Sequence, residues 1–256
     1  MTFQPFIKPF IALGLVGITA TLAQGRDRDA AMDPGITITV EGSYLQETVD
    51  FMLIRQQSRA ETREMKLLAL EHIRTALDQG ISNGEVVSAL EYMALEGIVN
   101  KIISNSRVRN NYPDIRRTAA AYLGDLGTPQ AHRILLKMSQ AEYEPMVLTA
   151  VVTSLTKIGI TGTMGNEERN EILRMITRRI QAFDVLVPDN LLALAALEAY
   201  EAFARQPGGT LDSTTVQAIE RIAEGRYHGA IRERAKQILT MLRTYMPNPL
   251  PEEPSG

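Results

Sequence analysis

Apolar residues recur at the spacing of amphipathic α-helices over most of this chain. From about residue 44 to residue 246 they fall three and four positions apart, whereas residues 36–40 alternate apolar and polar side chains. The first spacing places apolar side chains on one face of a helix, and the second is typical of one short extended segment. The pattern therefore predicts an all-α protein with a single extended stretch near its N-terminus.

Helix start and stop signals divide this region into consecutive helices. Residues 58–61 and 82–85 match the capping box, in which a hydroxyl group accepts a hydrogen bond from the start of a helix. Pro129 suits the first turn of a helix, and Gly127 and Gly159 suit helix ends. A series of short helices joined by brief loops is expected.

A four-position template repeats along these helices. It places apolar residues at x, x+4, x+8 and x+11, and five residues can serve as x: Met65, Ile115, Val147, Leu192 and Ile231. Alanine fills x+4 in four of the five, which lets a neighbouring helix approach closely, and the x+1 residue is basic in three of them, namely Lys66, Arg116 and Arg232. A second helical pattern follows each of the first four, at about 83–103, 129–140, 167–183 and 212–225. About five helix pairs in series are predicted.

The segment 113–160 contains a group of small, apolar and basic residues on one predicted helix, namely Ile115, Arg116, Ala119, Ala120, Leu123, Gly124, Leu126 and Gly127. With these residues the segment resembles HEAT repeats, in the variety grouped with phycobilisome-lyase-like repeats. The resemblance implies a right-handed α-solenoid over residues 44–246. It also implies a scaffold whose concave face binds a ligand, with no catalytic residues common to the family.

The two ends of the chain differ from the helical region. Lys8 precedes an apolar run that is shorter than the roughly 20 residues needed to cross a bilayer, and small residues follow it up to Gly25. We predict a signal peptide over residues 1–25, a leader over 26–43 and a disordered, proline-rich tail over 247–256. The mature chain would be periplasmic or secreted and not inserted in the membrane, and an uncleaved anchor is the alternative.

Composition argues against several classes of function. The chain has no cysteine and a formal net charge of -3, so neither a thiolate site nor nucleic-acid binding is predicted. His72, His132 and His228 fall in different repeats without a second ligand at metal-binding spacing. The glycine-rich residues 159–165 are expected to connect two helices, because no strand precedes them and no phosphate-binding lysine follows. No metal, cofactor or catalytic residue is predicted.

Two groups of basic residues are candidates for partner binding. Arg133 with Lys137, and Arg174 with Arg178, are like-charged pairs at i and i+4, which slightly destabilise a helix unless an acidic group faces them. An acidic protein partner would supply that group. The alternative is a solvated surface neutralised by nearby glutamates of the chain itself, which are Glu142, Glu144 and Glu171.

The second group lies in the polar segment 105–112, which contains Arg107 and Arg109. This segment is either a recognition loop or an asparagine-rich loop that caps the next helix.

These observations predict an exported, non-catalytic scaffold or adaptor that binds a protein partner on its concave face. An enzyme or enzyme accessory resembling bilin lyases is the first alternative, and it would need a reactive acid or base in a deep pocket. A structural spacer without a specific ligand is the second.

Overall fold

The structure is a computed structural model that describes residues 40–162, 164–209 and 211–245. The predicted signal peptide, the leader as far as residue 39 and the tail at 247–256 lie outside these residues. The described part of the chain is helical apart from one small hairpin, so the predicted all-α class is confirmed. None of its helices is both long enough and apolar enough to cross a membrane.

Ten helices and two strands make up the described residues. The helices are α1 (Val40–Ser58), α2 (Arg63–Asp78), α3 (Gly84–Leu95), α4 (Pro113–Leu126), α5 (Pro129–Ala141), α6 (Pro145–Thr161), α7 (Asn166–Leu186), α8 (Asn190–Ala204), α9 (Ser213–Glu224) and α10 (Gly229–Tyr245). Strands β1 (Ile103–Ser104) and β2 (Arg107–Val108) pair antiparallel, with Ile103 opposite Val108 and Ser104 opposite Arg107.

Some predicted helix starts are wrong. Ser58 ends α1 and donates a hydrogen bond to the carbonyl oxygen of Arg55 instead of capping α2. At α3 the capping residue is Asn83, whose side-chain oxygen accepts from the amide of Val86 at 3.0 Å, and not Ser82. Neither predicted capping box forms: Asn83 takes over the cap at α3, whereas Thr62, the N-cap residue of α2, makes no side-chain capping bond.

The boundaries at α4 and α5 follow the sequence signals, whereas those predicted at Gly159 and Val40 are wrong. Thr128 caps α5 through its hydroxyl group, with Pro129 in the first turn. Gly127 ends α4 in the left-handed conformation, with φ of 62°. Gly159 does not end its helix, because α6 continues to Thr161. Val40, predicted to be extended, is the first residue of α1.

Successive helices alternate between two layers. In one layer α2, α4, α6, α8 and α10 each contact the next, and in the other α1, α3, α5, α7 and α9 do the same. Helices next to each other in sequence also pack across the layers, from α3 with α4 to α9 with α10. The apolar core is therefore continuous along the array.

The template positions explain this packing. All five x+4 residues are fully buried at 0% exposure: Ala69, Ala119, Val151, Ala196 and Ala235. A side chain added at Gly124 would place its Cβ 2.5 Å from the Ser154 hydroxyl of α6, and one at Gly159 would place it 2.5 Å from the Phe203 ring of α8. Small residues thus let α4, α6 and α8 approach one another closely.

One template position departs from the expectation. Met65, predicted to face the core, is 37% exposed, whereas its neighbour Lys66 is fully buried. The helix is turned so that Lys66 meets an acidic residue, Glu96, that follows α3.

Candidate partner-binding surface

The basic residues at x+1 form buried ion pairs in the first two helix pairs. Lys66 Nζ lies 2.8 Å from Glu96 Oε2, and Arg116 Nε lies 2.6 Å from Glu142 Oε2. Each acid directly follows the second helix of its pair, so each bond ties the end of that helix back to the first helix. The third basic residue, Arg232, is exposed on α10. The basic residue at x+1 therefore has a structural role in the two helix pairs whose second helix is followed by a glutamate.

A 17-residue connection between α3 and α4 carries the hairpin, and buried bonds hold it in place. The side-chain nitrogen of Asn110 donates to the carbonyl oxygen of Asn100 at 2.8 Å. Its side-chain oxygen accepts from the backbone nitrogen of Ile102, also at 2.8 Å. Arg116 donates to the carbonyl oxygen of Glu96 and to the side chain of Asn111. The connection is therefore fixed at both of its ends.

The second predicted helix stops earlier than the sequence pattern suggests. Apolar spacing continues to about residue 103, but α3 ends at Leu95 and Gly97 adopts φ of 75°. A Cβ at Gly97 would lie 2.5 Å from the carbonyl oxygen of Asn110, so both the backbone angle and the close approach require glycine there. The apolar residues that follow belong to the connection between α3 and α4, and among them Ile103 begins strand β1.

Arg107 and Arg109 are exposed on this hairpin. The alternative prediction, that the asparagines of the segment cap the next helix, is wrong. Tyr112 is the capping residue of α4 and makes no side-chain capping bond. Asn110 instead anchors the connection, and Asn111 accepts a hydrogen bond from Arg116.

The other four candidate residues lie on adjacent helices of one layer. Arg133 and Lys137 are exposed on α5, and Arg174 and Arg178 are exposed on α7, which packs against α5. α5 packs against α4 and α6, and α7 packs against α6 and α8, while the four cations occupy exposed positions of these two helices. We call these four residues the basic strip.

The described residues do not neutralise the basic strip through ion pairs. No acidic group of the described residues lies within 4.0 Å of its charged nitrogens, and Arg178 donates only to the carbonyl oxygen of Arg174, at 3.3 Å. Glu142, predicted as a possible neutralising residue, is buried against Arg116. Glu144 and Glu171 are exposed and form no ion pair with the strip.

An exposed tyrosine beside the strip was not predicted. Tyr143 follows α5 and is 73% exposed, and the Arg179 guanidinium lies 5.8 Å from its ring centroid. Burial lowers the pKa of Arg179, and the Tyr143 ring opposes that shift. Exposed aromatic residues beside arginines are frequent at protein interfaces. The only sequence signal was an aromatic residue at a helix end.

Potential metal ligands and one cleft among the described residues bear on possible ligand binding. They contain no group of three or more potential metal ligands among histidine, aspartate and glutamate. A cleft of about 180 Å³ lies between the start of α7 and the end of α8, lined by Arg169, Phe203 and Gly208 among others. Arg169 is already bonded to the carbonyl oxygen of Gly159 and to Asn166. The lining includes no acid or histidine that could act as a general base.

The histidines lie in three different environments. His132 is buried on α5, and its Nε2 has no hydrogen-bond partner among the described residues. Burial is the main reason that its pKa is lowered, and Arg133 adds to the effect, whereas Glu171 and Glu168 oppose it. His72 is partly buried, and His228 is exposed and accepts from the amide of Ala230.

No family model, no curated protein and no solved structure matches this chain. The site must accordingly be interpreted from its own geometry.

Proposed function

We propose that this chain is an exported, non-catalytic adaptor of the HEAT-repeat type, which binds an acidic protein partner through the basic strip. In this proposal about five helix pairs form a right-handed α-solenoid, and α5 and α7 contribute to its concave face. The observation that carries the proposal is the set of four exposed cations on two packed helices with no acidic group of the described chain to pair them.

The contacts between helices support the solenoid. Each helix contacts the next member of its own layer, and consecutive helices from α3 with α4 to α9 with α10 also contact across the layers, as stacked helix pairs do. Such stacking leaves a long surface on each layer for partners. The repeated use of buried small residues, as at Ala119 and Ala196, is what close stacking requires.

Electrostatics supports the choice of an acidic partner. Like charges at i and i+4 cost a helix a few tenths of a kcal/mol, a cost that an opposing acidic surface would remove. Cations that are solvated in the free protein steer an acidic partner toward the surface and fix its orientation. Tyr143 would add apolar contact area at the edge of the strip, because most of its ring is exposed.

A charge-reversal experiment tests the proposal. The chain carrying Arg133→Glu and Arg174→Glu is compared with wild type as bait in envelope extract, followed by measurement of affinity for the protein captured by wild type. We expect the reversed chain to lose that protein, and raised salt to weaken the wild-type interaction.

Two matched variants serve as controls. Arg133→Lys with Arg174→Lys keeps the charge and should retain binding, and Arg117→Glu reverses an exposed charge on α4, outside the strip. Far-ultraviolet circular dichroism establishes that every variant is folded. Capture that is equal for wild type and the strip reversal would refute the proposal.

A further inference from the structure

Residues 99–109, which include strands β1 and β2 and are called the hairpin below, expose four large aliphatic side chains. Val99 is 42% exposed, Ile102 49%, Ile103 67% and Val108 37%. Exposed large aliphatic residues are ordinary when scattered, but these four lie within ten residues of one another. A cluster of this kind is typical of a surface that binds another molecule.

The exposed residues point to both sides of the hairpin. Ile102 and Ile103 are consecutive, and consecutive side chains of an extended strand point to opposite faces. The hydrogen bond from Arg109 N to the carbonyl oxygen of Ile102, 2.8 Å long, continues the pairing of β1 with β2 past Ile103. Since both isoleucines are exposed, neither face of the hairpin packs against the helices.

The polar tip of the hairpin follows from its backbone. Asn105 and Ser106 have φ of 51° and 59°, in the left-handed region that asparagine tolerates and β-branched aliphatic residues avoid. Positions 105 and 106 are therefore unfavourable for β-branched aliphatic residues. The aliphatic residues nearest the turn are Ile103 and Val108, which lie opposite each other in the two strands.

All the charges of the hairpin are positive. Lys101, Arg107 and Arg109 are exposed, and no acidic residue occurs between positions 97 and 113. The flanking acids are engaged elsewhere, since Glu96 pairs with Lys66 and Asp114 pairs with Arg63. An occupant of this surface must accept both aliphatic groups and cations.

We propose that this hairpin docks on an anionic lipid surface. Cations bind the negative head groups while aliphatic side chains enter the boundary between head groups and acyl chains. A lipid interface surrounds an inserted element, so it covers apolar residues on both faces at once. A protein contact on one face would leave Ile102 or Ile103 in water. The region from 97 to 111 also lacks the tyrosine and tryptophan typical of protein hot spots.

Tryptophan fluorescence tests this proposal locally, because the chain contains no tryptophan. The full chain with Ile103→Trp is mixed with vesicles of phosphatidylcholine alone or with half phosphatidylglycerol. We expect the emission to shift to shorter wavelength only with the anionic vesicles, and lipids brominated on their acyl chains to quench it. Because the readout is local, membrane binding by the N-terminal apolar run cannot imitate it.

A charge-reversed variant and a tryptophan at a distant exposed position serve as controls for the fluorescence shift. Arg107→Glu with Arg109→Glu, in the Ile103→Trp background, should abolish the shift. Gln217→Trp, an exposed position on α9, should show neither shift nor quenching. An unchanged spectrum at position 103 would overturn the proposal and leave an acidic protein as the occupant. Equal shifts at positions 103 and 217 would overturn it as well, since they would indicate adsorption without a specific site.

Discussion

The Nε atom of Arg116 lies 2.6 Å from Oε2 of Glu142, and each side chain is 1% exposed. The second oxygen of the carboxylate accepts from Arg116 Nη2 and from the amides of Tyr143 and Glu144. This ion pair therefore has its hydrogen bonds satisfied, which is the condition under which a buried pair is tolerated. Lys66 and Glu96 form another buried ion pair one helix pair earlier.

Removing one partner of the buried pair should be costly. Arg116→Met leaves the Glu142 carboxylate buried without its cation, so we expect the free energy of unfolding to fall by about 3–5 kcal/mol. Urea denaturation gives the value. Arg63→Ala breaks the exposed pair with Asp114 and should lower the free energy of unfolding far less, because solvent screens that pair. Similar losses in both variants would contradict the structural role assigned to Arg116.

The interface between α4 and its neighbours gives a second prediction. Ala119 is fully buried, so Ala119→Leu should overpack the contact and cost about 1–3 kcal/mol in urea denaturation. Arg117 is exposed on the same helix, and Arg117→Ala should change stability by no more than about 0.5 kcal/mol. In Ala119→Leu, hydrogen exchange should rise around residues 129–158 before it rises at 229–243. The opposite ranking of the two variants would show the helix register to be wrong.

Glycine substitutions should differ in sign along the array. Gly124→Ala places a Cβ 2.5 Å from the Ser154 hydroxyl and 3.0 Å from the Ser154 Cα, so thermal denaturation should show a loss of about 1–3 kcal/mol. Gly84→Ala, at the start of α3, meets no atom within 4 Å and should stabilise the chain by about 0.4–1 kcal/mol. Stabilisation at both positions would mean that α4 and α6 are further apart than described.

His132 should make stability depend on pH. Burial lowers its pKa in the folded chain, whereas the unfolded chain titrates near the ordinary value of about 6.5. The folded state then binds fewer protons, so this contribution to stability is fully present above about pH 6.5 and is lost as the pH falls toward the folded pKa. Urea midpoints between about pH 7.5 and pH 5 measure it. His132→Leu should reduce the slope. An unchanged slope in His132→Leu would show that His132 is not the source of the pH dependence.

The sequence pattern predicted the helical class and the buried x+4 residues, because both depend on local spacing and side-chain size. It failed at Met65, since the burial of Lys66 depends on Glu96, an acid 30 residues later. It extended α3 too far because Val99 and Ile102 continue the helical spacing beyond Gly97, whose positive φ ends it.

The basic strip was predictable in part. The i and i+4 spacing indicated which cations share a helix face, and all four are exposed. The state of Glu142 could not be predicted, because its partner Arg116 is 26 residues away in sequence and meets it only through the packing of α4 with α5. Proximity in sequence suggested that Glu142, Glu144 and Glu171 neutralise the basic strip. In the described part of the chain, none of them forms an ion pair with it.

Site-specific photocrosslinking tests partner binding by the basic strip most directly. A photoreactive amino acid replaces Lys137 within the strip or Gln217 on α9, both of which are exposed. After irradiation in intact cells, we expect one dominant adduct with an acidic protein from position 137 and none from position 217. Adding Arg133→Glu and Arg174→Glu to the position 137 variant should abolish that adduct. No adduct from position 137, or the same adducts from both positions, would contradict the proposed function.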